Sequence, residues 1–135
     1  ADWRAQTQQS IHARKGNGVA SRGETFRQGI DAGNRGDVGW WRGRMSDDIA
    51  FHAPGAGLDL VGADAVIRSL EKFVAAEQPR HTLTADPVEQ GEFLVAFSQL
   101  ERTVGGKASR AQVCHVTRWD GDRIAEYWSM RHATP

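Results

Sequence analysis

The chain has 135 residues, a formal net charge of zero from 17 basic and 17 acidic side chains, and one cysteine, Cys114. This length suits one domain with one hydrophobic core, and the balanced charge argues against nucleic-acid and anionic-membrane partners. Because no apolar run could span a bilayer or act as a secretion signal, and a single cysteine cannot form an internal disulfide, we expect a soluble cytoplasmic protein.

The first part of the chain is polar and is interrupted by glycines. We therefore predict a polar N-terminal extension over residues 1–20 and a folded domain over residues 21–135. At the start of this domain, Ser21 and Glu24 have the spacing of a capping box, in which each side chain binds a backbone N–H of the first helical turn. Apolar residues four apart follow as far as Gly33, so this segment is predicted to be the first helix.

A shorter second helix is predicted after Asp37, which can cap it. Its apolar residues lie at helical spacing and are Val38, Trp41 and Met45. The period then changes, because residues 48–54 have the pattern of a strand that a glycine-rich loop follows as far as Gly62. A third helix is predicted over residues 63–77 from its broad apolar face, which consists of Val66, Ile67, Leu70, Phe73 and Val74.

The remainder of the chain has an alternating pattern with strand-length segments at 80–90, 92–104, 107–119 and 122–132. Gly105-Gly106 and Asp120-Gly121 are hairpin signals, so the last three strands should form an antiparallel meander. Asp86-Pro87 predicts a bulge in the first of these strands. Helices early and strands late indicate an α+β domain, in which three N-terminal helices pack on a curved, mixed but mainly antiparallel sheet.

One face of the strand over 107–119 is predicted to line a pocket. Side chains two apart on a strand point to the same face, and the face with His115 also carries Val113, Thr117 and Trp119. Ser129 should lie beside His115, because the last two strands pair across the turn between them. The same face of the last strand carries Tyr127 and Arg131. We expect these groups to surround a small-molecule ligand.

Four local motifs occur in order along the chain. They are Gly36-Asp37, the segment 46–55, the helix start at 62–66 and the segment 119–128. Together, over about residues 24–132, they resemble the SnoaL-like polyketide cyclase and ketosteroid isomerase group of the NTF2-like superfamily. The resemblance implies a cone-shaped barrel with a deep apolar pocket, a homodimer that forms through the outer face of the sheet, and no obligatory metal or organic cofactor.

The resemblance also assigns positions in the site. His115 lies where ketosteroid isomerases carry a protonated aspartic acid that donates a hydrogen bond to the substrate oxyanion. Their catalytic base corresponds to Ala53, beside His52, and their tyrosine corresponds to a position near Gly29. The polyketide cyclases carry an aspartate where this chain has Ser129. Because these carboxylates are missing, the predicted catalytic residues are His115, Ser129, His52 and Tyr127.

Aromatic walls with a few polar groups are typical of a small-molecule site. The predicted substrate-binding residues are Trp41, Phe51, Trp119, Thr117 and Arg131. Strict alternation directs His52 away from the pocket, unless a bulge near Pro54 turns it inward. The spacing of the five histidines does not match a zinc site, and no phosphate-binding glycine loop follows a strand, so we expect neither a metal nor a nucleotide cofactor.

Three functional hypotheses remain open. The first is a lyase or isomerase that moves a proton on a hydrophobic cyclic or polyketide-like carbonyl compound, with His115 as the proton carrier. The second is a protein that binds a hydrophobic ligand without catalysis, which the missing carboxylates favour. The third is a structural role, in which the pocket has collapsed and the N-terminal extension contacts a partner.

Overall fold

The structure, a computed structural model, describes residues 21–133, which form three α-helices, a short 3-10 helix (Pro54–Ala56) and one seven-stranded sheet. The predicted extension over 1–20 lies outside the described residues. The helices are α1 (Arg22–Asn34), α2 (Val38–Arg42) and α3 (Ala63–Glu77). The strands are β1 (Met45–Ala53), β2 (Leu58–Val61), β3 (Arg80–Leu83), β4 (Val88–Gln90), β5 (Phe93–Val104), β6 (Lys107–Asp120) and β7 (Arg123–Ala133).

The strand order across the sheet is β2-β1-β7-β6-β5-β3, with β4 also paired to β5. All pairs are antiparallel except β1 with β7, which is parallel. The sheet is long and curved around the helices, and most of the buried apolar side chains lie between these two layers. The predicted α+β fold, the mainly antiparallel sheet and the meander of the last three strands are confirmed.

The helices begin where the sequence predicts. The Ser21 hydroxyl accepts a hydrogen bond from the backbone N–H of Glu24 at 3.1 Å, and the Asp37 carboxylate accepts one from Trp40 at 3.1 Å. The two helices are then joined by the Trp41 indole, which donates to the carbonyl of Gly29 at 3.0 Å. A Cβ atom at Gly29 would lie only 2.6 Å from the ring of Trp40, so this close packing requires glycine.

None of the helices in residues 21–133 combines the length and the apolar composition that a membrane span requires.

Three predicted boundaries were wrong. Met45 begins β1 opposite Ile124 instead of ending the second helix, which stops at Arg42. The predicted glycine-rich loop contains β2, which pairs with the end of β1. The predicted strand over 80–90 is two strands, because the chain leaves the sheet around Pro87, whose ring nitrogen cannot donate to a ladder.

Strand β6 alternates between the two faces of the sheet as predicted. His115 and Thr117 are almost fully buried on the face that packs against the helices, whereas Cys114 and Val116 on the opposite face are only partly buried. The register sets Ser129 directly opposite His115 across the β6–β7 pair. The curved sheet therefore directs the imidazole of His115 towards the interior.

Candidate functional site

A cavity of about 410 Å³ lies between the concave face of the sheet and the helices. Its apolar wall includes Ile30, Trp41, Phe51, Val66, Leu70 and Phe73. Its polar and charged groups belong to Ser69, Glu77, His81, Arg102, His115, Tyr127, Ser129 and Arg131. The volume and the few convergent polar groups fall in the range of small-molecule sites.

Four side chains in the interior form one continuous hydrogen-bonded relay. His81 Nδ1 lies 2.9 Å from Ser98 Oγ, and Ser98 Oγ lies 2.8 Å from His115 Nε2. On the other side of its ring, His115 Nδ1 lies 2.8 Å from the Tyr127 hydroxyl. We refer to His81, Ser98, His115 and Tyr127 as the relay. Three of its members, His81, His115 and Tyr127, also line the cavity.

The register of the sheet explains this arrangement. On β5, His115 faces Ala96, so Ser98 is its diagonal neighbour on one side. On β7, His115 faces Ser129, so Tyr127 is its diagonal neighbour on the other side. Diagonal neighbours on one face of a sheet are within reach of long side chains. The imidazole can therefore use both ring nitrogens at once, with a different strand on each side.

Burial keeps every member of the relay neutral. Burial, with a smaller contribution from the neighbouring His81, lowers the pKa of His115 to about 3. Burial also lowers the pKa of His81 to about 4, with an additional contribution from the positive charge of Arg131. Burial raises the pKa of the Tyr127 hydroxyl well above its usual value. At neutral pH the relay therefore consists of two neutral imidazoles and two hydroxyls.

Two neutral arrangements of protons satisfy the relay. In the first, the hydrogen bonds run outward from His81: His81 Nδ1–H donates to Ser98, Ser98 donates to His115 Nε2, and His115 Nδ1–H donates to Tyr127. The Tyr127 proton is then available to the cavity, and His81 Nε2 is a free base. In the second, every bond is reversed, and His81 Nε2 carries the proton. The two arrangements differ by one proton moved from one end of the relay to the other.

Most of the predicted site residues lie together around the cavity. His115, Ser129 and Tyr127 line it, as do the predicted binding residues Trp41, Phe51 and Arg131. The imidazole of His115 binds Ser98 and Tyr127, while Ser129 lines the wall opposite it.

Two predicted binding residues lie elsewhere, in the packed core. The Trp119 indole donates to the Thr117 hydroxyl at 2.8 Å, and both side chains are buried outside the cavity lining. Their position on the same face as His115 was predicted correctly. At the end of the domain that contains Thr117 and Trp119, however, the sheet packs directly on α1 and α2. Protein side chains therefore fill the space over this part of the inner face.

His52 also lies outside the cavity, on the convex face of the sheet. Its ring stacks on Trp128 with centroids 5.6 Å apart. Its Nδ1 lies 2.5 Å from Asp59 and its Nε2 lies 2.7 Å from Glu126. The hydrogen bond to Glu126 is the largest cause of a pKa of His52 above its usual value; burial opposes this shift, and the hydrogen bond of Asp59 and the charges of both carboxylates reinforce it. The β1 strand keeps its alternation here, so the structure does not bring His52 to the relay.

His81 and Ser98 were missed at the sequence level. The inward residues of β5 from Leu94 to Leu100 are apolar apart from one serine, since Leu94, Ala96 and Leu100 are buried around Ser98. A single hydroxyl in an otherwise apolar buried row is a usable signal, because buried polar groups are normally hydrogen-bonded. His81 was considered only as a metal ligand. In residues 21–133, no group of three or more His, Cys, Asp or Glu side chains could hold a metal ion.

Two arginines and one carboxylate form the charged part of the cavity lining. Arg102 Nη1 donates to Glu77 at 3.1 Å. Arg102 Nε is buried and has no hydrogen-bond partner among the described residues. The Arg131 guanidinium lies over the ring of Phe73, 5.2 Å from its centroid. Burial and the charge of Arg102 lower the pKa of Arg131, whereas Glu77 opposes this shift.

The comparisons with known proteins agree with this architecture. The chain is 22% identical to an NTF2-like protein of unknown function from Burkholderia pseudomallei K96243, with a TM-score of 0.70 over 82% of this chain and 88% of that one. It is 18% identical to IdmH, a candidate polyketide cyclase from Streptomyces antibioticus, with a TM-score of 0.70 over 82% and 92%. A candidate ketosteroid isomerase from Kribbella flavida DSM 17836 is 12% identical, with a TM-score of 0.69 over 83% and 78%.

At these identities, the structural likeness establishes the fold and no more. No curated protein matches the sequence significantly. The sequence of residues 26–127 does match the family model of the SnoaL-like domain, which confirms the family resemblance predicted from the four motifs. The match covers most of the chain, and the chain therefore belongs to the SnoaL-like domain family.

Proposed function

We propose that this protein binds a flat hydrophobic carbonyl compound in the cavity and catalyses proton transfer between its α-carbon and its oxygen. The observation that carries the proposal is the neutral relay, which opens on the cavity both at His81 and at Tyr127. A base at one end and a hydroxyl donor at the other are the two groups that a keto–enol conversion requires.

The proposed step moves protons in one direction along the relay. The α C–H bond breaks and its proton goes to His81 Nε2, while the electron pair forms the C=C bond of the enol. His81 Nδ1–H passes to Ser98, the Ser98 proton passes to His115 Nε2, and His115 Nδ1–H passes to Tyr127. The Tyr127 proton is transferred to the carbonyl oxygen. Each member ends neutral, in the second of the two arrangements, and the reverse step restores the first.

A neutral relay suits this site better than His115 acting alone. A lone general base would hold an imidazolium ion, and the low pKa of His115, about 3, shows how strongly the surroundings disfavour that ion. The relay avoids a buried charge at every stage, because each group gains one proton as it gives up another. His115 is then the centre of the relay, and His81 takes the role of base that was predicted for His115 from the sequence.

A deuterium-exchange experiment tests this proposal. We expect the protein to catalyse exchange of the α-protons of 2-tetralone in D₂O, measured by proton NMR, above the rate with an equal concentration of imidazole. The enol analogue 2-naphthol should bind at least about tenfold more tightly than the ketone, because it resembles the species that the relay stabilises. Quenching of tryptophan fluorescence reports binding, since Trp41 lines the cavity.

The outcomes separate the two open functions. Exchange that 2-naphthol inhibits supports the enzyme. Binding of both compounds without exchange would contradict catalysis on such ketones and would leave a hydrophobic-ligand-binding protein. If neither compound binds, both the enzyme and the hydrophobic-ligand-binding protein are contradicted.

We also propose that two copies of the chain pair through the convex face of the sheet. Phe97, Cys114 and Met130 are aligned in one row across β5, β6 and β7 on this face. The exposed fractions of Phe97 and Met130 are 47% and 39%. Exposed aromatic and sulfur-containing side chains in one row are typical of a protein interface. This row supports the homodimer that the family resemblance implies.

Analytical ultracentrifugation tests the dimer. Phe97→Asp should weaken dimerisation by at least about tenfold, because it places a carboxylate in the apolar row. Val104→Asp is the matched control, since Val104 is an exposed apolar residue at the far end of the same strand. A monomeric wild-type protein at micromolar concentration, or equal weakening by both variants, would contradict this interface.

A further inference from the structure

The charged part of the cavity carries more positive than negative charge. Arg102 and Arg131 provide two cations, and Glu77 is the one carboxylate in the cavity lining. The lining histidines add no charge at neutral pH, because the pKa values of His81 and His115 are about 4 and about 3. A single negative charge on a ligand would therefore balance this part of the site.

The two arginines also hold unused hydrogen-bond donors. Glu77 occupies Arg102 Nη1, while the buried Nε has no partner within the described residues. Arg131 has no hydrogen-bond acceptor within residues 21–133, although its side chain is partly buried and lies over Phe73. A guanidinium group presents donors in a planar fork that matches a carboxylate. A buried donor without a partner costs stability, which a bound acceptor recovers.

We propose that the ligand of this cavity carries a carboxylate, which Arg131 binds with the help of Arg102, whose Nε has no partner among the described residues. This inference rests on the proposed function only in that the cavity accepts a small molecule. The stack on Phe73 holds the Arg131 guanidinium in place, and the apolar wall accepts the hydrophobic body of the ligand. The substrate class is thus a hydrophobic carbonyl compound with an acidic group, such as an aromatic or alicyclic keto acid.

A carboxylate near Arg131 would also assist the relay. The positive charge of Arg131 contributes to the low pKa of His81. A bound carboxylate offsets this charge, so that His81 becomes a stronger base when the ligand is present. Recognition of the acidic group and proton abstraction are then linked through one guanidinium.

Binding of two matched probes tests the inference without requiring turnover. We expect wild-type protein to bind 2-naphthylacetate at least about tenfold more tightly than neutral 2-naphthylacetamide, measured by isothermal titration calorimetry at low ionic strength. Arg131→Gln should remove this preference by weakening binding of the acid and leaving binding of the amide within about twofold. Arg131→Lys should retain part of the preference, because it keeps the charge and loses the fork.

The control is Arg68→Gln, which removes a positive charge from an exposed position on α3 outside the cavity lining. It should leave both affinities unchanged. Equal affinity of wild-type protein for the two probes, or a parallel loss of both in Arg131→Gln, would overturn the carboxylate assignment. Either result can occur while 2-tetralone still exchanges its protons, so the proposed function and this inference can fail separately.

Discussion

Replacing Ser98 by alanine should reduce the rate of α-proton exchange by about a hundredfold to a thousandfold, the range usual for loss of general acid–base catalysis. The substitution removes one hydroxyl that lies 2.9 Å from His81 and 2.8 Å from His115. His81 could still accept a proton from the ligand, but it could no longer pass one on. The exchange would then require an imidazolium in a site that strongly disfavours it.

Affinity and pH dependence distinguish this effect from a general loss of structure. Ser98 does not line the cavity, so the variant should bind 2-naphthol within about twofold of wild type. The wild-type rate should be constant between about pH 6 and pH 9, because no relay member titrates there. The solvent isotope effect on the exchange rate should show that several protons are transferred in wild type and that fewer are transferred in the variant.

Ser21→Ala is the matched control for Ser98→Ala. Ser21 is also a buried serine, and its hydroxyl caps α1, so the change should cost about 1 kcal/mol of stability. It leaves the cavity lining and the relay intact. Comparable exchange by wild type and Ser98→Ala would contradict the relay, whereas an equal loss in Ser21→Ala would trace the effect to stability.

The sequence predicted the scaffold of the site well, because its signals are local. Period-two alternation placed His115 on the inner face of β6, and the hairpin at Asp120-Gly121 brought Ser129 near it, although an irregularity between Arg118 and Trp119 sets the final pairing. Such patterns need only the geometry of one strand or one hairpin. The same reasoning correctly directed His52 away from the cavity when it was applied to strict alternation.

The contacts of the site could not be predicted in the same way. His81 reaches His115 through Ser98, and the three residues lie on three different strands. Their meeting depends on the register of β3 and β6 on β5, which the sequence does not state. The extent of the cavity also depends on the packing of elements that are distant in the sequence. Thr117, for example, faces inward but lies where the sheet closes on the helices. The neutral state of His115 follows from this packing and not from its reference pKa of about 6.5.

Acid should destabilise this protein strongly, because two histidines are buried in neutral form. Above about pH 6.5, the imidazoles of His81 and His115 are neutral in both the folded and the unfolded chain. As the pH falls, the unfolded chain binds protons on both, whereas the folded protein does so only near the pKa values of about 4 and about 3. The free energy of unfolding should therefore fall by about 5 kcal/mol between about pH 6.5 and pH 4.5 from these two groups.

Urea unfolding followed by tryptophan fluorescence at a series of pH values measures this loss. His115→Gln should be less stable than wild type at neutral pH, since it disturbs the bonds to Ser98 and Tyr127. As the pH falls, the free energy of unfolding of this variant should nevertheless decrease less steeply than that of wild type. The two slopes should differ by about 1.4 kcal/mol per pH unit, because one group that protonates on unfolding is gone. Parallel slopes for wild type and His115→Gln would mean that His115 binds protons equally in both states. The relay would then hold a charged imidazole below about pH 6.5, and the low basicity of His115 on which the proposed neutral transfer depends would be wrong.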